Sequence, residues 1–285
     1  MKQFIFLSAL LFTKVIFISC NGSIDSESSI SSFNYGTESD AARYYYLEGW
    51  KKIMDEGRWT ESELAFRKAI KFDDQFALGK ILVGRISQDF EEREKILEEL
   101  KELPKEERSI ELLLEVYKAS VNFMNLREQN LDISPVMREA KDSIAEANHR
   151  MFVNIYPQSI YEKAEYIEIL HSRYGAQVTL DTLKNILNPG QGDIPFFVSY
   201  EATLQAEMGN YGKSGQLINK LDSLLDENAP ARYFTRAAVY EAMDSIAFAK
   251  ALAEQAYQLD TNHLLAKGLL ERLRLRESRH RDEEM

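Results

Sequence analysis

Cysteine is nearly absent: one residue in 285, which excludes an internal disulfide framework and any cysteine-rich zinc site. Chain breakers are scarce too, with six prolines and 13 glycines, so regular structure has few forced interruptions. Basic excess is missing. Lys and Arg number 35 against 46 Asp and Glu, a net charge of −11, and a nucleic-acid partner needs a basic face. No Gly-rich dinucleotide fingerprint and no Gly-x-Ser-x-Gly elbow occurs. Gly212-Lys213-Ser214 matches the end of a phosphate loop, but Glu207 stands where its first glycine belongs, so the triplet reads as a turn between helices. What is present is 45% apolar residues, enough for a full core, in a background of Leu, Ala, Glu and Lys that favours helix.

The one long apolar run opens the chain. Met1-Lys2-Gln3 precedes Phe4–Phe12, Thr13-Lys14 interrupts, and Val15–Ile18 resumes before Ser19-Cys20. A cationic tip and a short apolar region have the pattern of a secretory signal peptide, and Lys14 breaks the run below the length of a membrane span. The single cysteine lies at the cleavage point. Phe17-Ile18-Ser19-Cys20 resembles a bacterial lipobox, with Phe17 where Leu is usual. The resemblance implies that residues 1–19 are removed and that Cys20 is lipidated. Residues 20–39 hold seven serines and read as a flexible tether, spanning roughly 25 Å on average.

From Asp40 onward no strand pattern is sustained. Apolar residues recur at helical spacing, as in Tyr46, Trp50, Ile53 and Met54, or Leu217, Leu221, Leu224 and Leu225. Pro104, Pro135, Pro157, Pro189, Pro195 and Pro230 fall between helical runs or at helix starts. Ser134-Pro135 is an N-cap followed by proline at the first helical position. Gly57, Gly175 and Gly209 stand where one helix ends and another begins. The reading is twelve or thirteen short helices in antiparallel pairs.

Two distant segments match. Phe66–Asp73 and Ala253–Asp260 place small or apolar residues at the same offsets and end on the same Asp. Gly57-Arg58-Trp59 parallels Gly209-Asn210-Tyr211, and Asp244-Ser245-Ile246 follows Gly209 by 35 residues. A period of about 34–35 residues between helix pairs signals a solenoid. These segments resemble tetratricopeptide (TPR) repeats, most clearly over 43–74 and 230–261. Phe66 and Ala69 lie on the second helix of the first unit. Ala237 and Tyr240, then Ala249, Ala253 and Ala256, serve the other. The chain departs from the pattern at Ser62, where Ala is usual, at Asp74 and Thr261, where Pro is usual, and through the divergent middle, 110–192.

The resemblance implies an all-α, right-handed superhelical solenoid over residues 40–281. It also implies a concave face built from the first helix of each pair. Tyr44, Lys51, Leu78, Arg85, Phe196, Tyr200 and Phe234 are its candidate binding residues. A solenoid of this kind holds a peptide segment or another envelope protein rather than carrying out catalysis. The expected protein is thus a scaffold or adaptor of the outer membrane of a diderm bacterium. It has no cofactor, metal or nucleic-acid partner. A second reading, through the lipidated cysteine and TPR helices of the much longer SusD-like lipoproteins, is an accessory part of a glycan-uptake system.

Two Glu-x-x-His motifs, Glu146–His149 and Glu168–His171, share the spacing of di-iron bundles. Their distances from Pro157 offset them by roughly 9 Å in a hairpin, which is poor for shared ligation. His263 reads as a surface residue at a helix start. The basic end, Lys267 to Arg281, reads as a solvated capping helix that keeps a solenoid soluble.

Cys20→Ser is expected to move the protein from the membrane fraction to the soluble fraction in detergent-free buffer; retention on the membrane refutes lipid anchoring.

Overall fold

The computed structural model describes residues 33–283, with side chains to Ser278; Cys20 and the segment before Phe33 lie outside the described residues. The described chain is all-helical: twelve α-helices, one short 3-10 turn and no strand. They are α1 (Asp40–Met54), α2 (Trp59–Phe72), α3 (Ala77–Ile86), α4 (Phe90–Glu102), α5 (Arg108–Glu128), α6 (Pro135–Ile155), α7 (Tyr161–Ile186), α8 (Pro195–Glu207), α9 (Tyr211–Leu224), α10 (Pro230–Ala242), α11 (Ile246–Leu259) and α12 (Leu264–Glu283). Each helix packs on the next through most of the chain, and α3 meets α5 and α8 meets α10 one helix further on. α7 is broken at Gly175, whose φ of 77° and ψ of −177° are non-helical.

Local chemistry sets the ends. Ser39 caps α1 by accepting from the Ala42 N–H, Asp89 caps α4, and Ser134 caps α6 ahead of Pro135. Pro195 and Pro230 likewise occupy the first positions of α8 and α10, where the missing N–H costs nothing.

The turns recur in backbone detail. Between α1 and α2, α8 and α9, and α10 and α11, one residue takes the left-handed conformation: Gly57 (φ 72°), Gly209 (φ 77°) and Asp244 (φ 56°). The next N–H then reaches back to a carbonyl in the last turn of the first helix: Arg58 to Lys52, Asn210 to Gln205, Ser245 to Tyr240. A second turn type joins α2 to α3, α9 to α10 and α11 to α12. In each, an Asp carboxylate accepts the N–H two residues on, Asp73 from Gln75, Asp226 from Asn228 and Asp260 from Asn262. Asp73 (φ −150°, ψ 103°) and Asp260 (φ −148°, ψ 104°) are superposable conformers.

Packing between paired helices is tight where side chains are small. Ala69, Ala237, Ala249, Ala253 and Ala256 are fully buried. Ser62 is explained by its bond. Its hydroxyl is buried and donates to the Gly49 carbonyl at 2.8 Å, tying α2 to α1. A Cβ at Gly49 would lie 2.4 Å from the Phe66 ring, so the two helices can approach this closely only at glycine.

The first helix pair meets the last ones. The turn between α1 and α2 docks on three loops far away in sequence. The Ala231 N–H donates to the Glu56 carbonyl at 3.0 Å. Arg58 donates to both carboxylate oxygens of Asp226. The Thr60 N–H and hydroxyl donate to Asp260 at 2.9 and 2.7 Å. Asp55 accepts from the Phe196 N–H at the start of α8. Two helices therefore obtain their N-terminal caps from distant residues: α2, whose own Arg58 provides no side-chain cap, from Asp260, and α8, whose Ile194 provides none, from Asp55. Gly57 is required here twice over. Its φ is positive, and an added Cβ would sit 2.7 Å from the Ala231 nitrogen.

Asp260→Ala removes both bonds to Thr60 and uncaps α2. A loss of about 1–3 kcal/mol is expected in urea unfolding, with Thr60→Ala non-additive to it by about 1 kcal/mol. Additive effects refute an energetic coupling between Thr60 and Asp260.

Candidate functional site

Closure leaves a cavity of about 460 Å³, open to solvent, between the helices. Its walls come from Trp50, Ile53 and Met54 on α1, Leu82, Arg85 and Ile86 on α3, and Glu165 and Glu168 on α7. Phe196, Ser199, Tyr200 and Thr203 on α8, Phe234, Thr235 and Ala238 on α10, and His263 and Leu265 at the start of α12 complete it, with Trp59 and Phe66 of α2 at one side. Phe196 and Tyr200 stack at 5.3 Å, four residues apart on one face of α8. Both tryptophans of the chain border the cavity.

The polar groups of the wall are mostly engaged. Ser199 and Thr235 bond each other at 2.6 Å, Thr235 also donates to the Ala231 carbonyl, and Thr203 donates to the Ser199 carbonyl. Arg85 donates to Glu165 at 2.7 Å while its guanidinium lies 4.5 Å from the Tyr117 ring centroid. His149 lies on the far side of Glu165. Its Nε2 meets Glu165 at 3.2 Å and its Nδ1 faces the Ala145 carbonyl at 3.0 Å. Burial pushes the Glu165 carboxyl up, but the Arg85 charge and the His149 bond outweigh it and hold Glu165 down at about 2.

Glu168, one turn along α7, is different. It takes no hydrogen bond from a described side chain or backbone group. Burial, and then the Glu165 charge, push it up to about 7. Glu162, one turn the other way, is fully buried with neither carboxyl oxygen bonded among the described residues, and burial pushes it up to about 8. Three acids at i, i+3 and i+6 thus sit in three environments. His263 is pushed down to about 4 by burial, against the pull of Asp260. It is a neutral ring at pH 7.

Four of the seven candidate binding residues, Arg85, Phe196, Tyr200 and Phe234, line this cavity together. Three do not. Tyr44 is 61% exposed and packs on Tyr45, Lys51 is exposed, and Leu78 is fully buried in the core. On α1 the inward face is Trp50, Ile53 and Met54; choosing Lys51 mis-set the helix phase by one residue, about 100°. His263 does begin a helix, accepting the Ala266 N–H on Nδ1, but it is buried rather than on the surface, packed between Trp59 and Phe234. Trp50, Trp59, Glu168 and His263 line the cavity too, outside the set that repeat phase points to. The tryptophans were the available signal, because so large a side chain beside a turn glycine fills space between helices.

The two Glu-x-x-His motifs are drawn to separate partners. Glu146 pairs with Arg173 and accepts from Tyr174, while His171 contacts Tyr200 at 3.0 Å and Glu207 at 2.8 Å. Among the described residues no three His, Cys, Asp or Glu side chains are grouped to hold a metal ion. No described helix is long and apolar enough to cross a membrane.

The raised carboxyls set a pH dependence. An acid held neutral in the folded chain costs nothing below its unfolded value near 4.5 and penalises folding increasingly as pH rises to about 8. Glu162→Gln removes the penalty. The variant is expected to match the parent in thermal melts near pH 4.5 and to exceed it by about 2–4 kcal/mol at pH 8.5. An equal difference at both pH values refutes the assignment.

No protein-family model matches the chain, and neither does any curated protein or solved structure.

Proposed function

We infer that the chain is a TPR-like, lipid-tethered binding protein of the cell envelope, a scaffold or adaptor that receives a segment of a partner protein between its helices. The observation that carries this reading is the cavity, and above all which helices wall it. α1, α3, α8 and α10 are each the first member of a helix pair, and all four face inward. A right-handed superhelix of antiparallel pairs would put its first helices on the concave side in this way, and this supports the reading. The recurring turns support the same architecture. Gly209 and Asp244 are 35 residues apart, and Asp226 and Asp260 are 34 apart.

Binding fits the chemistry of the wall better than catalysis. The Ser199, Thr203 and Thr235 hydroxyls bond one another or backbone carbonyls, and the Tyr200 hydroxyl bonds the His171 ring. The aromatic and aliphatic walls offer desolvation, and Arg85, Glu165 and Glu168 offer charge at one side, the usual make-up of a recognition pocket. The anchor at Cys20 would hold this receptor at the membrane, on the outer membrane of a diderm bacterium.

A photo-crosslinking residue at Thr203, inside the cavity, is expected to trap one envelope protein, while the same residue at Gln255 on α11 traps none. Phe234→Ala should weaken the adduct about tenfold, the effect of truncating an aromatic anchor. A purified protein that retains a sugar and yields no protein adduct favours the glycan-uptake reading and overturns this one.

A further inference from the structure

One face of α6 is left uncovered by the described residues. Met137, Ile144 and Met151 follow at seven-residue spacing, Ile155 continues the row, and each is between 40% and 53% exposed. Ala140 lies between them and is exposed as well, and Val136, 77% exposed, adds to the same side. The core-facing side of α6, with Ala145, Asn148, His149, Phe152 and Val153 buried, lies about a quarter-turn round the helix from this row, and Asn148 sits in the row's own stripe between Ile144 and Met151. A soluble helix ordinarily gives its outer face to polar residues. Here the outer face has an apolar row with Ser143, Arg150 and Asn154 on its flank. Four large apolar side chains in line on one helix are not the scattered exposure that any protein surface shows.

The entry point of the chain bears on what covers this row. The described chain begins at Phe33, which is buried against the last turn of α6, its ring 5.1 Å from Phe152 and 4.4 Å from Tyr156. Twelve residues separate Phe33 from Cys20, so the two can be no more than about 45 Å apart. α6 has 21 residues and is about 31 Å long. An anchor on Cys20 therefore keeps the bilayer within reach of the end of α6 that holds Met151 and Ile155.

We propose that the exposed face of α6 lies in the membrane interface, so that the bilayer to which Cys20 is tethered covers Met137, Ile144, Met151 and Ile155. The proposal rests on the lipid-anchor reading of Cys20. An interfacial helix sinks its apolar face by about 5–10 Å and keeps its charges among the headgroups. The distribution on α6 allows that. Arg150 is largely exposed beside Met151, placed to meet headgroup phosphate while its stem follows the apolar row. Covering by a second copy of the chain is less favourable. Antiparallel pairing about Ile144 sets Arg138 against Arg150, like charge against like. One acyl group gives marginal membrane affinity, and a second, protein-borne contact turns a loose tether into a fixed orientation.

The test uses the chain from Cys20 onward, with its sole cysteine coupled to a maleimide phospholipid in vesicles of phosphatidylethanolamine and phosphatidylglycerol. Chemical coupling separates this question from lipidation in cells: an unlipidated Cys20 in the native membrane refutes the anchor and leaves the vesicle result readable. Met151→Trp is expected to be quenched by brominated acyl chains about threefold more than Phe248→Trp on α11, as for a side chain at interfacial depth. Adding Met137→Glu and Ile144→Glu to the reporter chain, at positions already exposed, should lower its quenching to the Phe248→Trp level with helix content unchanged. Equal quenching at the two positions overturns the proposal. So does quenching that survives both glutamates, or a Met151→Trp chain that sediments as a dimer without vesicles.

Discussion

The fold depends on the docking of residues 55–60. This turn meets loops between 141 and 200 residues further on, and nearly every bond it makes satisfies a group that a helix end would otherwise leave open. Asp260 caps α2 and Asp55 caps α8, while the Glu56 carbonyl takes the Ala231 N–H. Each such bond is worth roughly 1 kcal/mol net, yet they are not interchangeable with water-exposed ones. Asp55 is buried, so loss of the Phe196 N–H leaves a desolvated carboxyl with the Tyr161 hydroxyl as its remaining donor. Closure is thus cooperative: the turn docks on all three loops or gives up several bonds together.

Closure also explains why there is a cavity. A stack of helix pairs that never returned on itself would present its inner face as an open surface. Here α1 is brought opposite α8 and α10, so Trp50 and Met54 complete a wall begun by Phe196 and Phe234. The Ser199, Thr203 and Thr235 hydroxyls facing inward are satisfied locally, which leaves His263 Nε2 and Glu168 as polar groups of the wall with no hydrogen-bond partner among the described residues.

What could be read from the sequence follows from range. Signals that act within one turn of helix were legible: proline at the starts of α6, α8 and α10, Ser134 as a cap, and Gly57 and Gly209 in left-handed turns. The alanines between paired helices were legible through their period. The caps from Asp55 and Asp260 were not, because no spacing ties Asp260 to Thr60. The burial of His263 follows from the same clasp, since Trp59 reaches it only when the first helix pair meets the last ones. The phase of α1 failed for a related reason. Tyr44 and Lys51 share one stripe of the helix, and Trp50 with Met54 another; only the position of α8 decides which of them faces inward.

The acids of α7 show how closely stability and recognition are joined in this interior. Glu165 is compensated by Arg85 and His149 and is a structural charge. Glu162 and Glu168 are not compensated, and burial pushes both upward. The two differ in one respect. Glu162 is sealed, so nothing can relieve it short of unfolding, and its cost is fixed. Glu168 opens on the cavity, beside Tyr200 and the Arg85–Glu165 pair. A donor entering the cavity finds there a half-buried carboxyl that has no hydrogen-bond partner among the described residues. An apolar wall supplies affinity with little discrimination; Glu168 is where this cavity can distinguish one guest from another.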